Sequence, residues 1–478
     1  MATTFVGRRV GASVVPVTRR PLRLPLPLLV IWWLVRFVIR ALVIMARSPF
    51  ALFLVTLAVL GLVAEQWYGL AGVMAGYCWL TAALLGVWFW FPPFGKFLRA
   101  RWRRRWTYAY KWPATMDFAG LNRTRKDGRQ YAPVLGKVTC SATVDVVRAR
   151  MLAGQVVEDW SKVSGRLCQT FGAIDCRVRS IPGRPHDVEL AFLIHDPLVE
   201  TVTPCNATDD LTALPVAMTE AGDWYKLNLI GTHILLVGAT RRGKSSGLWA
   251  ILNQLRSNIS DGTAQVWVLD PKGGMEMAFG AAMFARFVYG DTDASVAYEL
   301  DFALALEDAV LVMRERQSAL RGVVRVHVPT PADPLIVIVI DELAALTHYV
   351  NDRDAKRRIG NALSLLQSQG AAVGVTVLAA VQDPRKDTVP DRGLYPTRVL
   401  FGVTEADDVD MVLGKGARDR GARADQIPES LPGVAFVQVD GIAEPVRVRF
   451  ALVTDDYIRQ HLARPLAVLS AQPDEVAA

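Results

Sequence analysis

The chain has 478 residues, 51% of them hydrophobic, and a mean hydropathy of +0.23, which is high for a water-soluble enzyme. The apolar excess is concentrated between Leu28 and Phe91, so a membrane segment joined to a soluble remainder is expected rather than a uniformly soluble protein. A net charge of +8 suits nucleic acid or an anionic membrane surface as a partner, and five cysteines without a Cys-x-x-Cys pair argue against a disulfide framework or a zinc site.

Residues 1–26 are basic and rich in small residues, and read as a disordered cytoplasmic arm. A membrane anchor is expected over 27–112. Within it, Leu28–Met45 is apolar but carries Arg36 and Arg40 on one helical face, so it is either an interfacial helix or a span whose arginines face protein or headgroups. Pro49–Ala64 and Trp67–Phe91 carry no charge and form a transmembrane hairpin, with Trp67, Tyr68, Trp88 and Trp90 suited to the interfacial belt. Arg36, Arg40 and Arg47 before the hairpin, and Lys96, Arg99, Arg101, Arg103, Arg104 and Arg105 after it, put both flanks and the following domains on the cytoplasmic side of the cell membrane. The Arg/Trp/Tyr segment from Lys96 to Trp112 then reads as a headgroup-binding stretch rather than a nucleic-acid patch.

A polar linker is expected around 113–130, opening a small α/β linker domain over 113–212. In it, Val147, Met151, Val156, Trp160, Val163 and Leu167 recur at near-helical spacing, and 176–179 and 188–193 read as a strand pair around Pro182-Gly183. From 213 to 466 apolar β-branched runs alternate with helical patterns. Strands are expected at 234–237, 265–269, 335–340, 375–380 and 397–403, with an antiparallel pair at 434–439 and 446–453. Residues 467–478 read as a flexible tail.

The chemistry gathers at the ends of these strands. Leu235-Leu236-Val237 runs into Gly238-Ala239-Thr240-Arg241-Arg242-Gly243-Lys244-Ser245-Ser246, and a helix begins at once, with Leu248, Ile251, Leu252 and Leu255 on one face. This is the context of a nucleotide-phosphate loop. Backbone N–H groups and the helix N-terminus receive the phosphates of ATP, Lys244 reaches them, and the Ser245 hydroxyl takes a Mg²⁺ position. The apolar strand ending in Asp341-Glu342 supplies the rest: Asp341 holds Mg²⁺ through water, and Glu342 orients or deprotonates the attacking water. A water-activating carboxylate favours an ATP hydrolase over a nucleotide sensor. Two further strands end in Asp270-Pro271-Lys272 and in Gln382-Asp383-Pro384, the Gln placed to sense the γ-phosphate.

In this order, with Pro396-Thr397-Arg398 and the Gly414–Gly421 loop following, these stretches resemble the FtsK/SpoIIIE family of membrane-anchored DNA-pumping ATPases, and within it the actinobacterial plasmid and integrative-element transfer proteins of the TraB/Tra type. The resemblance runs from about Ala213 to Leu462. It implies an α/β, RecA-like P-loop motor. It further implies a homo-oligomeric ring, a hexamer, that threads double-stranded DNA during conjugative or intermycelial transfer. In such rings an arginine from a neighbouring subunit completes the site, for which Arg398 is the first candidate and Arg418 and Arg420 are weaker ones. Arg241-Arg242 stands where the family has Gly-Ser or Gly-Ala, so bulky side chains must point outward from the loop. Gly370-Ala371-Ala372 lacks an arginine the family carries, and no winged-helix DNA reader follows the motor, which implies a separate DNA-site-recognition protein. The rival functions are a secretion or type IV coupling ATPase and a nucleotide-dependent oligomeric membrane scaffold.

Overall fold

A computed structural model describes residues 103–124, 128–290, 298–442 and 444–462, together with 7–10, 13–16 and parts of 69–81. Leu28–Met45 and Pro49–Ala64 lie outside the described residues, and of Trp67–Phe91 only scattered helical residues are described. Among the described residues no helix is long and apolar enough to cross a membrane.

The chain divides into two compact units. The first holds a strand at Val134–Cys140 and most of those at Val144–Arg150 and Asp187–Leu193, with helices at Trp112–Phe118, Val157–Lys162 and Ser164–Phe171. Three sequence expectations are corrected in this region. The polar linker around 113–130 begins instead with a helix that buries Trp112, Thr115 and Met116. Val147 sits in a strand, not on the helix face drawn through Trp160 and Leu167. Asp145, Val147 and Ala149 alternate into the core with period two, which a helix cannot do. The headgroup reading of Lys96–Trp112 does not extend to Tyr108 and Trp112. Tyr108 is fully buried, 5.0 Å from the Phe171 ring, and Trp112 stacks on Trp160 and Phe171 at 6.4 and 6.1 Å.

The second unit is built on a ten-stranded sheet. Its strands, in chain order, are β1 (Leu214–Thr219), β2 (Trp224–Leu227), β3 (Ile234–Val237), β4 (Ala264–Asp270) and β5 (Arg286–Tyr289). They continue with β6 (Leu335–Ile340), β7 (Val375–Val381), β8 (Thr397–Phe401), β9 (Val434–Val439) and β10 (Val446–Phe450). Across the sheet they lie in the order β2-β1-β10-β9-β8-β3-β7-β6-β4-β5. From β8 to β5 every pairing is parallel, and from β8 back to β2 every pairing is antiparallel. The expected strands all form, including the antiparallel pair β9–β10. β1, β2 and β5 are additions that the sequence pattern did not single out.

The continuous apolar runs have a simple cause. Successive side chains of a strand point to opposite faces, and here both faces are covered. Leu235 and Val237 of β3, and Ile336, Ile338 and Ile340 of β6, enter one core. That core is closed by the helices α2 (Tyr298–Leu320) and α4 (Arg353–Gln369). Ile234, Leu236, Leu335, Val337 and Val339 enter the other core, closed by α1 (Lys244–Ser260). The predicted face of α1 is the buried one: Leu248, Ile251, Leu252 and Leu255 are all fully covered, each contributing roughly 1.5–3 kcal/mol by burial. A short helix, α3 (Leu343–Thr347), leaves the end of β6.

His233, one residue before β3, is buried, and its Nδ1 accepts the Val377 N–H at 3.0 Å. Burial pushes its pKa from 6.5 down to about 4. The unfolded chain therefore takes up a proton that the folded imidazole refuses, so stability rises with pH across this window and is lost as pH falls from about 6.5 toward 4. The loss should approach 3 kcal/mol. Denaturant melts of the wild type and of His233→Asn between these pH values test it, and an acid sensitivity identical in both proteins would contradict the assignment.

Candidate nucleotide site at the strand ends

All the parallel strands deliver their C-terminal ends to one edge, where an α/β sheet holds its ligands. The loop after β3 is tied to both neighbouring strands: Gly238 N–H donates to Val381 O at 3.3 Å, and Ala239 N–H to Gly402 O at 3.1 Å. Gly238 packs so closely on β8 that a Cβ there would stand 2.7 Å from Phe401 Cβ. Gly243 has φ +101° and would bring a Cβ within 2.3 Å of the Gly433 nitrogen, so no other residue fits at the entry to α1.

The two arginines of the loop behave differently. Arg242 turns away from the loop: its guanidinium donates to Ile427 O at 3.1 Å and pairs with Glu429 at 3.2 Å. Arg241 is exposed and adopts φ +62°, the only non-glycine with positive φ among the described residues. Glycine would occupy that conformation without the roughly 1 kcal/mol that a Cβ costs there. Both side chains thus point outward, as the sequence required.

Lys244 is buried and donates to Gly238 O at 2.8 Å. Burial lowers its pKa to about 8, with the neighbouring Lys272 ammonium adding to the shift and the Glu342 and Asp341 carboxylates opposing it. Ser245 Oγ donates to the Glu276 carboxylate. On the other side, Asp341 and Glu342 are 2% and 7% exposed, which leaves water little part in neutralising them. Lys272 Nζ lies 2.9 Å from Asp341 Oδ2 and 3.8 Å from Glu342 Oε2, an ion pair to each without hydrogen-bond alignment. Burial raises the Asp341 carboxyl above the usual aspartate range, against the pull of Lys272.

Gln382 joins the two halves. Its N–H donates to Glu342 Oε1 at 3.3 Å, and its side-chain oxygen accepts the Thr240 hydroxyl at 2.9 Å. Lys244, Ser245, Asp341, Glu342, Gln382 and Thr240 are therefore brought to one place. Arg398 is not. It lies at the start of β8, paired in register with Leu235 and Gln438, at the sheet edge opposite the loop, and its guanidinium is bound to Asp440. Arg418 is held in a two-point pair by Asp425 at 2.9 and 3.2 Å.

Lys272 and Glu276 are the site residues that sequence reasoning missed. The Asp270-Pro271-Lys272 turn was visible as a strand end, but its lysine had no assigned partner. Glu276, 31 positions from Ser245, gave no local signal. Among the described residues no group of three or more His, Cys, Asp or Glu is arranged to hold a metal ion. The Ser245 hydroxyl and the Asp341 carboxylate nonetheless form an all-oxygen donor pair. They suit a hard cation such as Mg²⁺, which takes its other positions from water and substrate phosphate.

No family model matches the chain. Among curated proteins it is 26% identical over 313 residues to Transfer protein TraSA of Streptomyces ambofaciens, covering 61% of this chain and 72% of that protein. It is 25% identical over 262 residues to DNA translocase FtsK of Bacillus cereus, covering 51% of this chain and only 30% of that protein. Among solved structures, the conjugation coupling protein TcpA of pCW3, in its monomer form with ATPγS, aligns over 73% of this chain and 95% of that one. The TM-score is 0.45 at 19% identity. The chain thus has the relatives that its motifs led us to expect, a transfer protein and FtsK-type translocases.

Two outcomes follow from the geometry. A lysine of pKa about 8 must be cationic to hold phosphate, so ATP-analogue affinity should fall by up to tenfold per unit as pH rises above 8. Calorimetry in buffers of different ionisation enthalpy should register proton uptake there; affinity independent of pH up to 9.5 would contradict it. Arg241→Gly removes the left-handed strain at the cost of a looser unfolded chain, and should stabilise the protein by no more than about 0.5 kcal/mol. Its denaturant midpoint reads this directly.

Proposed function

We propose that the chain is a membrane-anchored, ATP-driven motor that moves double-stranded DNA, acting in conjugative transfer. The observation that carries the reading is the convergence of Lys244, Ser245, Asp341, Glu342 and Gln382 at one edge of the parallel sheet. A turn and a solvated acidic strand end have no reason to meet in this way. The names of two relatives, a transfer protein and a DNA translocase, support DNA as the substrate class.

The chemistry follows from the residues present. Loop N–H groups and the N-terminus of α1 receive the phosphates of ATP, and Lys244 turns its ammonium from Gly238 O toward them. Ser245 and Asp341 would hold Mg²⁺, which when bound would neutralise phosphate charge. Glu342 orients the attacking water and accepts its proton as ATP is cleaved to ADP and phosphate. Gln382, bonded to both Thr240 and Glu342, transmits the phosphate state from the loop to the base.

In a ring of identical subunits, a hexamer, an arginine of the neighbour completes the site. Arg398 has first claim to that role, since it is not committed to the phosphate loop of its own subunit. The motor grips DNA mainly through phosphates, so its affinity falls steeply with salt and shows little sequence preference. Site choice then belongs to a separate recognition protein, and an N-terminal hairpin in the cell membrane keeps the motor on the cytoplasmic side.

ATP turnover by the detergent-solubilised full chain, with and without linear duplex, tests the proposal. Duplex should stimulate turnover, and Lys244→Ala and Glu342→Gln should each lower it by about a hundredfold or more. Unchanged turnover in both variants removes the site, and indifference to duplex removes the DNA motor in favour of a secretion ATPase.

A further inference from the structure

The turn that follows β4 enters the site with two charges, and neither has a role in the reading above. Its Asp270 is fully buried and accepts the backbone N–H of Lys272 at 2.9 Å, which fixes where the lysine leaves the strand. Lys272 then places its ammonium against Asp341 and Glu342 at 2.9 and 3.8 Å. Four residues on, Glu276 accepts the Ser245 hydroxyl. The two protein groups suited to a divalent cation, Ser245 and Asp341, are therefore each engaged by the same turn. A cation meets the carboxylate and an anion meets the hydroxyl.

Two adjacent carboxylates shielded from water need a positive charge close by, and among the described residues nothing else on this edge supplies it as directly. Lys244 is directed at Gly238 O. Metal and ammonium compete for the same carboxylate: the charge of a divalent cation held by Asp341, directly or through water, repels an ammonium 2.9 Å from Oδ2 and takes over its neutralising role.

We propose that Lys272 is the resident counter-ion of the Asp341–Glu342 pair, and that the Asp270–Glu276 turn must withdraw from Asp341 and Ser245 when a divalent cation enters. The inference rests on the reading of this edge as a metal–nucleotide site. Lys272 is a positioning residue: it pairs with both acids and holds them in place between turnovers, and the cation replaces it. Metal entry is thereby linked to movement of a turn at the end of a strand, which gives the loaded and unloaded subunits different surfaces at this edge.

The test is thermal melting of the detergent-solubilised full chain in EDTA, in Mg²⁺ alone, and in Mg²⁺ with a non-hydrolysable ATP analogue. In EDTA, Lys272→Met should melt about 5 °C below wild type, because removing one member of a buried pair strands the other. Mg²⁺ alone should restore most of that loss in Lys272→Met while shifting the wild type by no more than about 1 °C. Lys272→Arg, which keeps the charge, should behave as wild type in EDTA. The double variant Lys272→Met, Asp341→Asn removes the lysine and the carboxylate nearest it, and in EDTA should melt above Lys272→Met and nearer to wild type, with little response to Mg²⁺ alone. If Lys272→Met cannot be recovered folded, the double variant decides, and its failure to fold overturns the counter-ion role.

Equal stabilisation of wild type and Lys272→Met by Mg²⁺ alone also overturns it. In that case, stabilisation of the wild type by Mg²⁺ with the analogue still supports the nucleotide site. Loss of that stabilisation overturns the nucleotide reading itself, and the inference with it.

Discussion

At one edge of the sheet the ammonium groups of Lys244 and Lys272 face the carboxylates of Asp341, Glu342, Asp270 and Glu276, most of them shielded from solvent. The arrangement persists only because each charge has an opposite within reach. Burial disfavours the Lys272 charge, but Asp341 and Glu342 outweigh that and hold its pKa above the usual lysine value. The same burial acts on Lys244 with less compensation and brings its pKa close to neutrality. One lysine is thereby committed to the acids, and the other, directed at the Gly238 carbonyl, is the one the proposed function assigns to phosphate.

The sheet makes this concentration of charge possible. Its parallel strands are covered on both faces by apolar side chains, which leaves the strand ends as the place where polar groups can collect. Both cores pass through β3, β6 and β7, so the loop, the paired carboxylates and the glutamine are seated on adjoining rigid strands rather than on independent loops. Thr240, Gln382 and Glu342 then form a continuous hydrogen-bonded path along that edge. A change at the phosphate loop therefore reaches the base of the proposed reaction through two bonds.

The Arg241-Arg242 pair shows how an unusual loop sequence is accommodated. Arg242 is drawn off the loop by Glu429 and the Ile427 carbonyl, and serves as a strut between the loop and the segment before β9. Arg241 remains in the left-handed region that glycine occupies more easily. The loop keeps its shape because Gly238 and Gly243 are held against Phe401 and Gly433, whatever stands between them.

The phosphate loop, the helix behind it, the strand ending in two carboxylates and the strand ending in Gln382 were all legible in the sequence, because each is local. A run of apolar residues, a glycine spacing or a helical period lies within a window of a few residues, and backbone geometry translates it directly. Val147 was misread for the converse reason, since a short apolar pattern there fits more than one period. Trp112 was misread because an aromatic residue in a basic stretch looks the same whether its ring meets headgroups or a core, and packing against Trp160 and Phe171 decided the matter. The partnerships of Lys272 with Asp341 and of Glu276 with Ser245 lay beyond local reading, as did the seat of Arg398 at the far edge. Those join residues distant in the chain, and only the order in which the strands lie side by side brings them together or keeps them apart.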